Sequence, residues 1–216
     1  MVHLVDALLM AVIILNFIAL GSSRIRSSVR VVGYQGVILG TLPLIVHHSV
    51  TWRGVVIAMA AVLLKGLVIP KMLEASLHPA RAPREARPFV GFISSLLLGA
   101  VGTGLALLFA QTLPLAEAHT GLLLVPASLS NVMTGFWILT TRRTAIAHVL
   151  GILVLENGVF TFGLLLLDAM PELVEAGVLL DVFVGVFLMG ILLKHIDREL
   201  SEVDIAAEPM TILREE

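Results

Sequence analysis

The sequence predicts an all-α, polytopic transmembrane bundle of about seven helices, N-terminus outside and C-terminus inside, and three observations carry that reading. Of 216 residues, 58% are hydrophobic and 14% charged, with a mean hydropathy of +1.01; an ordinary soluble domain carries roughly 25% charged residues. The apolar residues fall into runs of about 17 to 25, long enough to cross roughly 30 Å of hydrocarbon as helices, and they do not alternate as barrel strands would. The basic residues are also one-sided. Twelve of the 14 lie in segments that seven spans place on one face with the C-terminus: Arg24, Arg26 and Arg30; Lys71, Arg81, Arg84 and Arg87; Arg142 and Arg143; Lys194, Arg198 and Arg214. The opposite face holds only Arg53, and Lys65 falls inside a span. By the positive-inside rule the basic face is cytoplasmic.

The elements follow in order. The first span, residues 4–20, is preceded only by Met1-Val2-His3 and contains Asp6, so it reads as a retained helix and not as a cleaved signal peptide. The second covers 30–47 and the third 54–77, which contains Lys65 and Pro70. The stretch from His78 to Pro88 carries three prolines and three arginines and reads as a solvated loop. The fourth span covers 89–113, the fifth 121–140 and the sixth 145–168; the seventh, 173–193, follows a short turn at Asp168-Ala169-Met170-Pro171. Residues 197–216 read as a polar, acidic cytoplasmic tail.

A shift of 118 residues sets Arg24 on Arg142, Arg30 on His148, Val31-Val32-Gly33 on Val149-Leu150-Gly151 and Gly40 on Gly158. That shift spans four helices, so it suggests parallel repeats of a three-helix unit, set against the background likeness of any two apolar helices.

Several function classes are excluded early. Cysteine is absent, so the chain offers no thiolate to an iron–sulfur cluster, a nickel centre or a disulfide; no cofactor and no catalytic activity of its own are expected. A net charge of −2 argues against nucleic-acid binding. With two Trp, one Tyr and no lysine deep in the last span, a retinal photoreceptor is ruled out. His47 and His48 are adjacent without a companion ligand, so no metal site is expected there.

Ionisable side chains at bilayer depth are costly and normally mark ion pathways. Lys65, Glu156 and Asp181 stand out. At 1.5 Å per residue Glu156 lies about 17 Å from the inner end of its span and Asp181 about 12 Å from the outer end of the next, so both sit near mid-depth. Two neighbouring carboxyls in an apolar site cannot both ionise cheaply, so such a pair retains a proton. The alternative is a structural pair that only joins helices. Lys65 precedes Pro70, whose missing N–H frees the Gly66 carbonyl and predicts a broken helix beside the charge; snorkelling to the surface is the alternative. His148, about 12 Å below Glu156 along the axis, is a candidate relay residue. Gln35 and Asn157 are candidates for relay or for helix glue, and Asn131 is expected to be glue.

Thr141-Arg142-Arg143 leading into Val149-Leu150-Gly151-Ile152-Leu153-Val154-Leu155-Glu156-Asn157-Gly158 resembles the three-helix NuoK subunit of respiratory complex I and its antiporter relative. Over nearly the whole chain, Leu64-Lys65-Gly66-Leu67-Val68-Ile69-Pro70, Leu155-Glu156-Asn157-Gly158 and Pro171-Glu172-Leu173-Val174-Glu175-Ala176-Gly177 leading to Asp181 resemble the hydrogenase-4 component E family. These are the NuoK-like subunits of group 4 membrane-bound hydrogenases such as formate hydrogenlyases. The resemblance implies that 1–120 is a four-helix N-terminal membrane extension and 121–196 a NuoK-like three-helix unit of a multi-subunit, proton- or sodium-translocating complex. It also implies antiporter-like and quinone-reductase-like membrane partners, a hydrogenase-like soluble arm, and a place in the inner membrane of a prokaryote. A stand-alone secondary ion transporter or an Mrp-type cation/proton antiporter subunit is the competing expectation.

Overall fold

The computed structural model describes residues 2–46, 52–76, 89–113 and 123–166, with Met170, Gly177, Leu180, 183–187 and Gly190. The described residues are helical and contain no extended strand. The helices are α1 (Val2–Gly21), α2 (Ile25–Val46), α3 (Trp52–Leu63), a π-helical turn (Leu64–Val68), α4 (Ile69–Ser76), α5 (Phe92–Ala110), α6 (Leu124–Thr141) and α7 (Ala145–Gly163), which ends in a 3₁₀ turn (Leu164–Leu166). Four stretches are long and apolar enough to cross a membrane: His3–Gly21, Ile25–Val46, Phe92–Ala110 and Ala145–Leu166. In α6, the polar Ser128, Ser130, Asn131 and Thr134 dilute the apolar run. The π turn divides the third helix. The predicted seventh span, with Asp181, and His47 and His48 lie outside the described residues, apart from the few helical positions between Gly177 and Gly190.

The α2 start is corrected from 30 to Ile25. Ser27 and Ser28 N–H groups already donate to the Arg24 carbonyl, and hydropathy cannot see a helical turn made of polar residues.

Hairpin α1–α2 lies beside hairpin α6–α7, α1 next to α6 and α2 next to α7, while α5 packs on α1 and α6 and the third helix on α2. Helices from both sides of residue 120 share the same core. Apolar collapse does not drive helices together in lipid, so close backbone approach and polar contacts matter more. The glycines supply the approach. A Cβ on Gly135 would stand 2.6 Å from the Gly151 carbonyl oxygen and from the Leu155 nitrogen, and one on Gly158 2.7 Å from the Val132 nitrogen.

Adding 118 to the bounds of α1 and α2 lands within four residues of the bounds of α6 and α7. The shared glycines nonetheless meet different neighbours: Gly33 and Gly40 face Pro70 and Val62 of the third helix, whereas Gly151 and Gly158 face Leu139 and Val132 of α6.

Candidate functional site at mid-depth

Two apolar clusters fill the bundle. One holds Val5, Leu9, Val12, Leu39, Leu42, Leu124, Ala127 and Leu164; the other holds Ala19, Leu20, Val29, Val32, Ile138, Leu150 and Val154. The residues between them in register are polar on four helices: Asn16 on α1, Gln35 on α2, Ser130, Asn131 and Thr134 on α6, and Asn157 on α7, all 2% exposed or less. A polar layer therefore crosses the middle of the bundle.

Hydrogen bonds connect much of this layer. Thr103 Oγ1 of α5 and Ser130 Oγ lie 2.9 Å apart. Asn16 Nδ2 donates to Ser130 Oγ at 3.3 Å, and Gln35 Nε2 donates to Asn16 Oδ1 at 2.7 Å and to the Val12 carbonyl at 3.4 Å. Four helices are joined through one chain of neutral groups. Asn131, expected as glue, is fully buried yet bonds nothing; Asn16, Ser130 and Thr103 perform that role. Leaving a polar group buried and unsatisfied costs about 1–3 kcal/mol, so Asn131 marks a locally polar interior.

Lys65 enters the layer from the third helix, and Pro70 determines how. An α-helical register would leave the Gly66 carbonyl without its donor. The chain instead widens into the π turn, in which the Ile69 N–H donates to the Leu64 carbonyl five residues back. The predicted break is thus corrected: the third helix continues to Ser76, and Pro70 sits in the first turn of α4, where a missing N–H costs nothing. Such π turns are frequent at functional sites.

Gly36 lets α2 touch this turn, since a Cβ there would stand 2.7 Å from Lys65 Cβ and 2.9 Å from its carbonyl carbon and oxygen. The lysine side chain reaches across to α7, where Nζ donates to Asn157 Oδ1 at 3.2 Å and lies 5.5 Å from the centroid of the Phe160 ring. It does not extend to the bundle end. One turn on, Thr161 Oγ1 donates to the backbone carbonyl of Asn157 at 2.7 Å, within the same helix.

Glu156 precedes Asn157 in α7, and both of its carboxylate oxygens are shielded from solvent. The Lys65 ammonium is thus bonded to the residue next to Glu156 on α7, and the buried polar residues described in the layer are neutral. His148 Nδ1 lies 2.9 Å from the Thr144 carbonyl, so it donates within its own helix, at the start of α7. No described side chain joins it to Glu156. Asp181 lies outside the described residues.

Two acidic side chains make structural contacts. Asp6 Oδ1 accepts the Leu123 N–H at 3.0 Å and so caps α6 from α1. Glu74 pairs with Arg30 at 3.2 Å on the surface, a contact of little energetic weight.

No established family profile matches the chain, and no solved structure matches it. An uncharacterized protein of Mycobacterium tuberculosis, Rv0085, is 33% identical to it over 186 residues, which cover 84% of this chain and 83% of that one. Identity at that level over most of both lengths reflects common descent, and the chain belongs to the same family as Rv0085.

Proposed function

We propose that the protein is a non-catalytic membrane subunit of a complex I-like, group 4 hydrogenase-type assembly, in which Lys65, Glu156 and Asp181 contribute to proton or sodium translocation. The observation that carries this reading is Lys65, held at mid-depth on a π turn and hydrogen-bonded to Asn157, the neighbour of Glu156. An amine that only balanced helix packing needs no widened turn, whereas a site that passes charge uses irregular backbone where it lines a polar interior. Polar groups on every neighbouring helix give the charge a protein path within the membrane plane. The chain holds no cysteine for a redox centre, which fits a subunit whose electrons are handled by a soluble arm.

This reading includes seven spans with the basic end in the cytoplasm of a prokaryote. The third helix, continuous over Trp52–Ser76, and α6, packed between α5 and α7, support two further spans; residues 173–193 supply the seventh. A reporter fused after Glu216 is expected to be active in the cytoplasm, and one placed near Glu117 outside. The reverse pattern, or the same side for both, would contradict the orientation and the span count.

Assembly is tested by extracting native membranes in mild detergent and purifying the tagged full chain. Antiporter-like and quinone-reductase-like membrane subunits should co-elute with a hydrogenase-like arm. A protein that emerges alone or as a homo-oligomer and carries ions in vesicles would be a stand-alone transporter instead.

A further inference from the structure

The basic end of the bundle holds a charge that its own packing leaves uncompensated. Sequence position places Arg142 among solvated loop cations, but it is 3% exposed. It follows α6 in extended backbone, and the α6–α7 turn is tied down by the Phe89 N–H, which donates to the Thr141 carbonyl at 2.7 Å. Arg142 Nη2 donates to the Leu20 carbonyl at 2.6 Å, satisfying an end group of α1. The guanidinium lies 4.7 Å from the centroid of the Phe92 ring. Nη1 is buried and bonds nothing. No described carboxylate forms an ion pair with this buried cation. Burial pulls its pKa below the usual guanidinium value, and a guanidinium stays charged even so. An uncompensated buried charge is costly.

Arg142 borders a cavity of about 20 Å³, lined also by Ser22 and Ser28 and by the apolar Ala19, Ile25, Val32, Ile138, Ala147 and Leu150. That volume admits one water-sized group. Ile25 and Ser28 belong to the first turn of α2 and Ala147 to the first turn of α7, whose N-termini favour negative charge, while Ala19 and Ile138 belong to the last turns of α1 and α6, where Arg142 Nη2 answers the Leu20 carbonyl. The Thr144 hydroxyl at the start of α7 is buried and also bonds nothing. A buried cation with one unmatched donor thus borders a space for a single oxygen.

We infer that this cavity is an anion site that takes one oxygen of a phosphate group, at the level where lipid headgroups or soluble phosphate meet the basic end of the bundle. Its volume is too small for a whole phosphate, so the remaining oxygens stay at the mouth. A lipid phosphodiester and inorganic phosphate share this chemistry. The inference does not depend on Lys65 or on the proposed translocation.

The test uses the full chain in a maltoside detergent, which carries no phosphate. Thermal unfolding is followed while phosphatidylglycerol, a neutral glycosyl diacylglycerol of the same chains, or sodium phosphate at constant ionic strength is added. Phosphatidylglycerol is expected to raise the midpoint by about 5 °C at saturation, and the neutral lipid to give no such rise. Sodium phosphate producing the same rise would identify a soluble source, and its failure a lipid one; either supports the site. Arg142→Gln should abolish the rise. Because that variant also loses the α1 end contact, Ser28→Val serves as a second arm: it fills the cavity, keeps the arginine and should likewise lose the response. Arg143→Gln, whose guanidinium stacks on Phe89 at 3.9 Å, should keep it. Equal stabilisation by the neutral lipid, or a full phosphatidylglycerol response in Ser28→Val, would overturn the site and leave the cavity to a water molecule.

Discussion

Glu156→Gln is expected to leave the complex assembled while lowering ion uptake per redox turnover by roughly a hundredfold, the order contributed by a positioned proton-transfer group. Glutamine keeps the length, shape and part of the hydrogen bonding of glutamate and removes only the titratable proton. Both carboxylate oxygens are shielded from solvent, so bulk water does not replace the lost group. Asp181→Asn is expected to behave in the same way. Lys65→Met should lower uptake too, because it deletes the ammonium that bonds Asn157, the neighbour of Glu156. Glu117→Gln, in the predicted outer loop, is the control and should change nothing. The measurement is proton or sodium uptake in vesicles of the reconstituted complex, with the redox rate recorded alongside. Uptake per turnover unchanged in both Glu156→Gln and Asp181→Asn would make these carboxyls structural.

Gly135→Ala is expected to give the largest loss of stability, about 1–3 kcal/mol as for an overpacked core. The added methyl would meet the Gly151 carbonyl oxygen and the Leu155 nitrogen at 2.6 Å and the Leu155 Cβ at 2.7 Å. Two of these are backbone atoms of the facing helix, so no rotamer relieves the clash and α6 must move away from α7. That separation would also loosen Asn157 and, through it, Lys65. Gly104→Ala on α5 meets nothing within 4 Å and should be neutral or slightly stabilising, since alanine favours helix by up to about 1 kcal/mol over glycine. Thermal unfolding of the two variants in the same detergent separates these outcomes. Equal midpoints for Gly135→Ala and wild type would show that the α6–α7 contact yields.

The polar layer was partly legible in the sequence. Lys65 and Glu156 draw attention because a charge in an apolar run has no neutral explanation, and Gln35 and Asn157 follow from the same reasoning. Asn16, Ser130 and Thr103 carry the hydrogen bonds that join α1, α5 and α6, yet they were missed. The missed signal was the depth of Asn16, a lone amide within the long apolar run of the first span. Ser130 and Thr103 gave none, because hydroxyl residues can satisfy themselves on their own helix backbone in any span.

What the sequence by itself determined is the helical membrane class, most of the described helix positions to within a few residues, and Lys65 and Glu156 as charged residues within apolar helices. These properties are local: they depend on run length, composition and the cost of a charge in hydrocarbon, each of which can be read along one strand of chain. Only the tertiary structure decided that Pro70 is accommodated by a π turn and not by a break, because the choice depends on Gly36 letting α2 pack against the widened backbone. It also decided that Lys65 meets Asn157 across the bundle, and that Arg142 is buried against Leu20 and Phe92 while Arg143 stacks on Phe89 at the same turn. Adjacent arginines have the same hydropathy and the same loop context. Which of them is desolvated is determined by the neighbouring helices, and a hydropathy pattern does not specify which helices are neighbours.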